Sequence, residues 1–169
     1  MPLDTKLHVE LKCDYATALD LSSTSSPLNW IKQINLATGT GANQADKLWH
    51  DIRTLTASAT EDLDLAGVLL DPVLGTAMTF VKVKGIFVYA DPGNTNDVVI
   101  GAGTNPFIGP FGAGTHTIKV PPGGIHVSYA PGLAGLGTVT PATADVLKVA
   151  NSGAGTSVTY QVVIIGTSA

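Results

Sequence analysis

A chain of 169 residues is long enough to bury one core without help from a metal or a disulfide, so we expect a single domain over residues 1–169. Charged residues make up only 13% of it and the formal net charge is -4, which argues against a nucleic-acid partner, and no apolar run is long enough to span a membrane. A surface with so little charge suits a protein that neighbouring subunits cover, and we therefore expect assembly.

The amino-terminal segment predicts a half-buried antiparallel strand from residue 6 to residue 13. Its apolar residues occupy alternate positions: Leu7, Val9, Leu11 and Cys13. We expect Cys13 to be a buried, inert thiol. A short strand at 18–21, a turn in the segment SSTSSP and a strand over 28–36 follow. Residues 1–27 are amino-terminal strands that can serve as an arm contacting neighbours.

The segment ADKLWHDIRTLTASATEDLDLAG, residues 45–67, is the most charged part of the chain and contains its only Arg. Residues 46–55 fit either an amphipathic helix or a strand, and the threonines downstream favour the strand. In a strand, His50 and Asp51 point to opposite faces, which separates a base from a carboxylate. The alternation in EDLDLAG indicates the solvated side of an edge strand more simply than a calcium loop.

Further along, the pattern remains that of short strands, which we expect in DVVIGA at 97–102 and near residues 115–120, 125–129, 145–150 and 157–166. Residues 78–89 are strongly β in character, but their apolar positions change parity: Met78 and Phe80 face one way, and Val81, Val83, Phe87 and Tyr89 the other, with Gly85 in the middle. This change predicts a bulge or a bend between sheets. The segment VPPGG predicts a hairpin that pairs Val120 with Ile125, with an apolar face made of His116, Ile118, Val120, Ile125, Val127 and Tyr129. About ten short strands without βαβ alternation predict an all-β fold, an antiparallel, jelly-roll-like β-sandwich.

Patterns that would signal chemistry are weak. GTGANQ, residues 39–44, lacks the third glycine and the βαβ context of a phosphate-binding loop. His8 and Glu10 form the best local pair of metal ligands, but a catalytic zinc site needs a third. We therefore expect no enzyme activity, no catalytic residue, no cofactor and no metal site.

Several blocks together carry a resemblance. They are GTGANQADKLWHDIRTLTASATEDLDLAG, TAMTFVKVKGIFVYA, NPFIGPFG, VPPGG, ADVLKVANSG and SVTYQVVIIGTSA. In this order, over most of residues 28–169, the chain resembles a group of small virion structural proteins of tailed bacteriophages.

The resemblance implies a component of the phage particle, most like a head decoration or cement protein. Such a protein binds the major capsid protein on the outer capsid lattice and stabilises the head. Copies of the chain would associate as dimers or trimers, and the protein would be found on the virion and, during assembly, in the host cytoplasm.

Aromatic side chains and loop residues are the candidate contacts, because aromatic anchors dominate protein interfaces. The candidates are Trp30, Trp49, Phe107, Pro110 and Phe111. For the two tryptophans, the alternative is a place in the sandwich core.

Two other functions stay open at this point. A tail, baseplate or fibre-associated module that binds host sugar would use a similar sandwich with aromatic loops. A hydrolase built on Asp46, His50 and Asp51 would require these side chains to converge in a cleft.

Overall fold

The computed structural model describes residues 2–67, 69–71 and 74–169. Within these residues the chain forms twelve strands. They are β1 (Thr5–Ala18), β2 (Ser23–Thr38), β3 (Gln44–Ala45), β4 (Lys47–Leu55), β5 (Thr60–Asp64), β6 (Lys82–Ala90), β7 (Val98–Gly101), β8 (Thr117–Val120), β9 (Ile125–Tyr129), β10 (Gly137–Thr138), β11 (Val146–Asn151) and β12 (Val158–Thr167). Within the described residues, no helix is long and apolar enough to cross a membrane.

Two antiparallel sheets form the body of the molecule, which we define as residues 44–169. One sheet has the order β4-β12-β6-β9, with short β10 pairing β6 beside β9, and the other has the order β5-β11-β7-β8. With β10 set aside, these eight strands have the order of a jelly roll. The predicted all-β antiparallel sandwich is thus confirmed.

The core of the body lies between the two sheets. Each sheet sends alternate side chains inward, as the two-residue period of a strand requires. The fully buried members from the central strands include Ile86, Val88, Ile100, Leu147, Val149, Tyr160 and Ile164. Strand β12 pairs with both β4 and β6, so it holds the first and middle parts of the body together.

The charged segment of the sequence folds into strands. Residues 47–55 are β4, so the preference for strand over helix is confirmed. Asp62 is exposed on β5, which among the described strands pairs with β11 alone and is an edge strand, as the alternation predicted. Glu61, in contrast, shares a face with buried Leu63 and points toward the sandwich.

Strand β6 contains a bulge, but it lies at Lys84 and not at the change of parity predicted between Phe80 and Val81. Its pairing with β12 shifts register so that Gly85 opposes Ile165 while Val83 opposes Gly166, and Lys84 is the extra residue. The parity of the core therefore changes here: Val83 is buried before the bulge, and Ile86 is buried after it. The sequence pattern wrongly placed Phe87 on the same face as Val83.

The predicted hairpin around VPPGG is wrong. Strand β8 pairs with β7 in one sheet, and β9 pairs with β6 in the other, so the turn crosses between sheets. A local pattern of two alternating strands around a turn does not reveal which sheet each strand joins. As a result Val120 is buried, whereas Ile125 and His116 are exposed rather than part of a shared apolar face.

Strands β1 and β2 form a two-stranded antiparallel hairpin, which we call the ribbon, with a turn at residues 19–22. The turn is closed by the amide of Leu19, which donates to the carbonyl of Ser22 at 2.7 Å. The expected separate strand at 18–21 and turn at SSTSSP are therefore wrong, because residues 19–22 form the turn of the ribbon and residues 23–27 already belong to its second strand. Fourteen paired residues give it a length of about 45 Å.

Candidate interaction surface

The ribbon is amphipathic. Its register places most apolar side chains of both strands on one face, which we call the ribbon face. The paired positions on this face are Leu7 with Ile34, Val9 with Lys32, Leu11 with Trp30, Cys13 with Leu28, and Tyr15 with Ser26. From Val9 to the turn, every residue of this face is exposed. The strand periodicity was predicted, but the exposure of its apolar side was not.

The prediction of a buried Cys13 is wrong for the same reason. The alternation predicted a buried thiol, but the thiol is exposed on the ribbon face, opposite Leu28. A half-buried strand pattern implies that something covers the apolar side. Within the described residues of this chain, the core clusters include no ribbon residue between Val9 and Ile34.

The opposite face of the ribbon is polar and internally paired. The Oε1 atom of Glu10 forms an ion pair with the Lys12 ammonium at 2.7 Å, and its Oε2 atom lies 3.6 Å from the His8 imidazole. Near the tip, the hydroxyl of Ser25 donates to Asp14 at 2.5 Å. This face is suited to water, so the ribbon has one side for solvent and one for an apolar neighbour.

One charge lies on the ribbon face. The ammonium of Lys32 is 5.9 Å from the centre of the Trp30 ring, close enough for a cation–π contact. The contact keeps the Lys32 stem against the apolar surface and its charge near the rim. Trp30 itself is 45% exposed.

The base of the ribbon is fixed to the body. Leu36 is buried with Ala45 and Ile165 on the outer face of the five-stranded sheet, and Leu3 packs against them. The hydroxyl of Thr38 donates to the carbonyl of Leu3 at 2.7 Å and accepts from its amide at 2.7 Å. Beyond this base the ribbon projects from the body.

A second exposed apolar surface lies on the same sheet. The pairing of β4 with β12, β12 with β6, and β6 with β9 forms one row across the outer face, with Ile52 and Ile125 at its two ends and exposed Gln161 and half-buried Tyr89 between them. Ile52 and Ile125 are 66% and 67% exposed, and Val127 in the next row is also exposed. We call Ile52, Ile125 and Val127 the outer patch.

The five predicted contact residues are divided by the structure. Trp49, Phe107 and Phe111 are 3%, 2% and 9% exposed and belong to the core, which withdraws them as surface contacts of the folded monomer. Pro110 is half-buried, and Trp30 is on the ribbon face. Of the five, Trp30 is the one with an exposed aromatic side chain.

The glycines and prolines of the loop NPFIGPFG predicted a surface loop. In the structure it folds back over the end of the sandwich. A side chain at Gly109 would come within 2.6 Å of the Phe107 ring, and one at Gly101 within 2.7 Å of the Phe111 ring. The glycines therefore let the backbone lie directly on the two rings, which explains why both are buried.

A charged cluster lies on the inner side of β4. The Arg53 Nε atom is 2.8 Å from Asp51, its Nη1 atom is 3.4 Å from Glu61, and its guanidinium lies 5.6 Å from the centre of the Trp49 ring. The buried hydroxyl of Tyr160 donates to Glu61. Burial, and then the hydrogen bond to Glu61, raises the pKa of Tyr160 well above its usual value of 10.0.

The cluster lines an open depression of about 520 Å³ whose lining includes His50 and Asp51 but not Asp46, so the three hydrolase side chains do not converge there. His50 and Asp51 point to opposite faces of β4, as the strand prediction required. Asp46 accepts hydrogen bonds from the amide and hydroxyl of Ser168 instead. Within residues 2–67, 69–71 and 74–169, no group of three or more His, Cys, Asp or Glu side chains is placed to hold a metal ion.

One internal contact near the base of the ribbon was not predicted from the sequence. Lys84, the extra residue of the β6 bulge, is fully buried, and its ammonium donates to the carbonyls of Gly41, Gly132 and Leu133. Burial, and to a lesser extent the charge of Lys82, lowers the pKa of Lys84. The contact ties the loop after the ribbon to the loop after β9.

No family model, no curated protein and no solved structure matches the chain.

Proposed function

We propose that this chain is a structural component of a tailed-phage virion, a decoration protein that binds the outer capsid lattice and stabilises the head. The observation that carries the proposal is the ribbon, which is about 45 Å long in all and carries an exposed apolar face from Val9 to its turn. An isolated two-stranded hairpin is at best marginally stable in water, so such a ribbon suits a protein that works with its neighbours attached.

The body supports the same function. Jelly rolls are common in viral capsid proteins, although the fold also serves unrelated functions and supports the proposal only by analogy. The outer patch gives the body an apolar surface separate from the ribbon face. A protein in a lattice meets more than one kind of neighbour, and two separate apolar surfaces fit that need.

The proposed mechanism is stabilisation by burial. Each square ångström of apolar surface removed from water contributes roughly 25 cal/mol, so a modest contact repeated over many lattice positions adds up to a large stabilisation. We assign the contact with the major capsid protein to the outer patch, centred on Ile52 and Ile125. The polar side chains around the patch then form the rim of the interface.

The proposal is tested on heads assembled from the phage's major capsid protein without this chain. Purified wild-type protein is expected to bind at regular lattice positions in a cryo-EM map. The Ile52→Asp/Ile125→Asp variant is expected to lose at least about tenfold in occupancy, because a buried, unpaired carboxylate is costly. Ile108→Asp is the matched control, since Ile108 is an exposed apolar residue outside the patch.

Unchanged occupancy of the double variant would remove the outer patch as the contact. Density on the tail or baseplate of the complete particle would overturn the head assignment, and host-glycan binding there would support the sugar-binding module. Absence of the chain from the purified particle would overturn the proposal as a whole.

A further inference from the structure

The ribbon face is an apolar surface that lacks a cover within the described residues, and its size indicates what can cover it. Five of its residues are exposed by 39–80%: Val9, Leu11, Tyr15, Leu28 and Trp30. With ordinary side-chain areas, these exposures and smaller contributions from Leu7, Cys13 and Ile34 give roughly 600 Å² per chain. Two such faces pressed together bury roughly 1,200 Å², the lower end of the range for stable protein interfaces.

The arrangement of the side chains along the ribbon face matches a second copy of itself. On β1 the apolar positions run from Leu7 to Tyr15, with Leu11 at the middle. An antiparallel copy rotated about a two-fold axis through the Leu11–Trp30 pair therefore places Tyr15 of one chain over Leu7 of the other. Each of the five rows from Leu7 to Tyr15 then meets a row of the partner, and such self-complementarity is the requirement for a two-fold interface. The partner's turn ends beside the base row Thr5–Leu36, which the body covers.

We propose that the ribbon face packs against the ribbon face of a second copy of this chain, antiparallel and centred on the Leu11–Trp30 pairs. The two ribbons form a four-stranded miniature sandwich with its faces about 10 Å apart. The polar face carrying Glu10 and Lys12 stays in water on both sides. The Lys32 ammonium, held at the Trp30 ring, lies at the rim.

The ribbon offers a matched pair of variants for the test. Trp30 and Ile31 are neighbours on β2, are both 45% exposed and point to opposite faces. In the full-length protein, Trp30→Asp places a charge at the centre of the proposed interface, whereas Ile31→Asp places the same charge on the polar face. Neither residue belongs to the core clusters, so both variants are expected to keep the wild-type melting temperature of the body.

The readout is the mass in solution at concentrations of roughly 1–100 μM, measured by sedimentation and native mass spectrometry. The wild type and Ile31→Asp are expected at twice the chain mass of 17.3 kDa. Trp30→Asp is expected to raise the dimer dissociation constant at least about 100-fold, since two central aromatic anchors are lost per dimer. A monomeric or trimeric wild type, or equal weakening by both variants, would overturn the proposal.

The direction of packing is tested by distances between spin labels. On a Cys13→Ser background, a label at Lys12→Cys lies near the two-fold axis, and a label at Ala18→Cys lies at the ribbon tip. Antiparallel packing predicts that the Lys12 labels lie opposite each other across the thickness of the miniature sandwich near its centre, and that the Ala18 labels are much farther apart, at about 45 Å, because fourteen strand positions separate the two tips. Similar distances at both positions would indicate parallel ribbons and overturn the register.

These experiments use the isolated protein and do not depend on the proposed virion function. A dimer of the predicted register that fails to bind phage heads would retain the inference and remove the proposed function. A monomer that binds heads, with binding abolished by Trp30→Asp but retained by Ile31→Asp, would overturn the inference and assign the ribbon face to the capsid lattice instead.

Discussion

At the residue scale, the most informative group is the Tyr160 hydroxyl, which is buried and donates to Glu61. Because the pKa of Tyr160 is raised above its value of 10.0 in the unfolded chain, the folded state holds its proton more tightly. The resulting stability is fully present below pH 10 and is lost as the pH rises toward the folded pKa. The sequence alone did not suggest this pair, because Glu61 and Tyr160 are far apart in the chain and meet only across the sandwich.

The Tyr160→Phe variant tests this link. It is expected to be less stable than wild type by about 1–2 kcal/mol at pH 8, since Glu61 loses a hydrogen bond but keeps its contact with Arg53. Above pH 10 the difference is expected to shrink by about 1.4 kcal/mol per pH unit, because only the wild type has this proton to lose. Urea unfolding of both proteins at pH 8, 10 and 11 measures the difference directly, and a difference independent of pH would contradict the assignment.

At the element scale, the bulge in β6 determines where one side chain goes. An extra residue in a strand turns its side chain out of the regular alternation, and here it directs Lys84 toward the carbonyls of Gly41, Gly132 and Leu133. The change of parity visible in the sequence predicted a bulge, but between Phe80 and Val81 rather than at Lys84. The buried lysine was not visible, because a lysine in an alternating strand normally indicates the solvated face.

Lys84→Met tests whether the bulge holds the two loops through this ammonium. Methionine fills a similar volume but leaves three carbonyls without their donor, so we expect a loss of about 2 kcal/mol and a melting temperature lower by roughly 4–8 °C. Lys82→Met, a half-buried neighbour on the same strand, is the control and is expected to change stability by less than about 0.5 kcal/mol. A stability equal to wild type for Lys84→Met would mean that relief of the buried charge offsets the lost hydrogen bonds.

The same scale shows what local patterns can and cannot predict. Strands β4, β7, β11 and β12 were predicted from apolar alternation or from short apolar runs. These patterns can be recognised in the sequence because they depend only on the burial of the strand itself. The partner of a strand is decided by distant parts of the chain, and so the turn at VPPGG was mistaken for a hairpin. For the candidate site, alternation identified the ribbon face, but only the fold shows that the body leaves it uncovered. The same limit placed Phe107 and Phe111 on the surface.

At the scale of the whole molecule, the chain has two parts with different sources of stability. The body buries a continuous core between two sheets, while the ribbon beyond its base has hydrogen bonds and cross-strand pairs but no core. The two tryptophans divide between these parts, Trp49 in the core and Trp30 on the ribbon face. The fluorescence of each tryptophan therefore reports on one part of the chain.

Denaturant unfolding followed by tryptophan fluorescence is expected to separate the two parts. Trp30→Phe leaves Trp49 as the single reporter of the body, and subtracting its signal from that of the wild type reports the ribbon. The body is expected to show one steep transition whose midpoint is independent of protein concentration, since its core lies within one chain. The ribbon is expected to lose structure at lower denaturant, with a midpoint that rises with concentration, because a second copy stabilises it by mass action. Coincident, concentration-independent transitions from both reporters would show instead that ribbon and body form one cooperative unit.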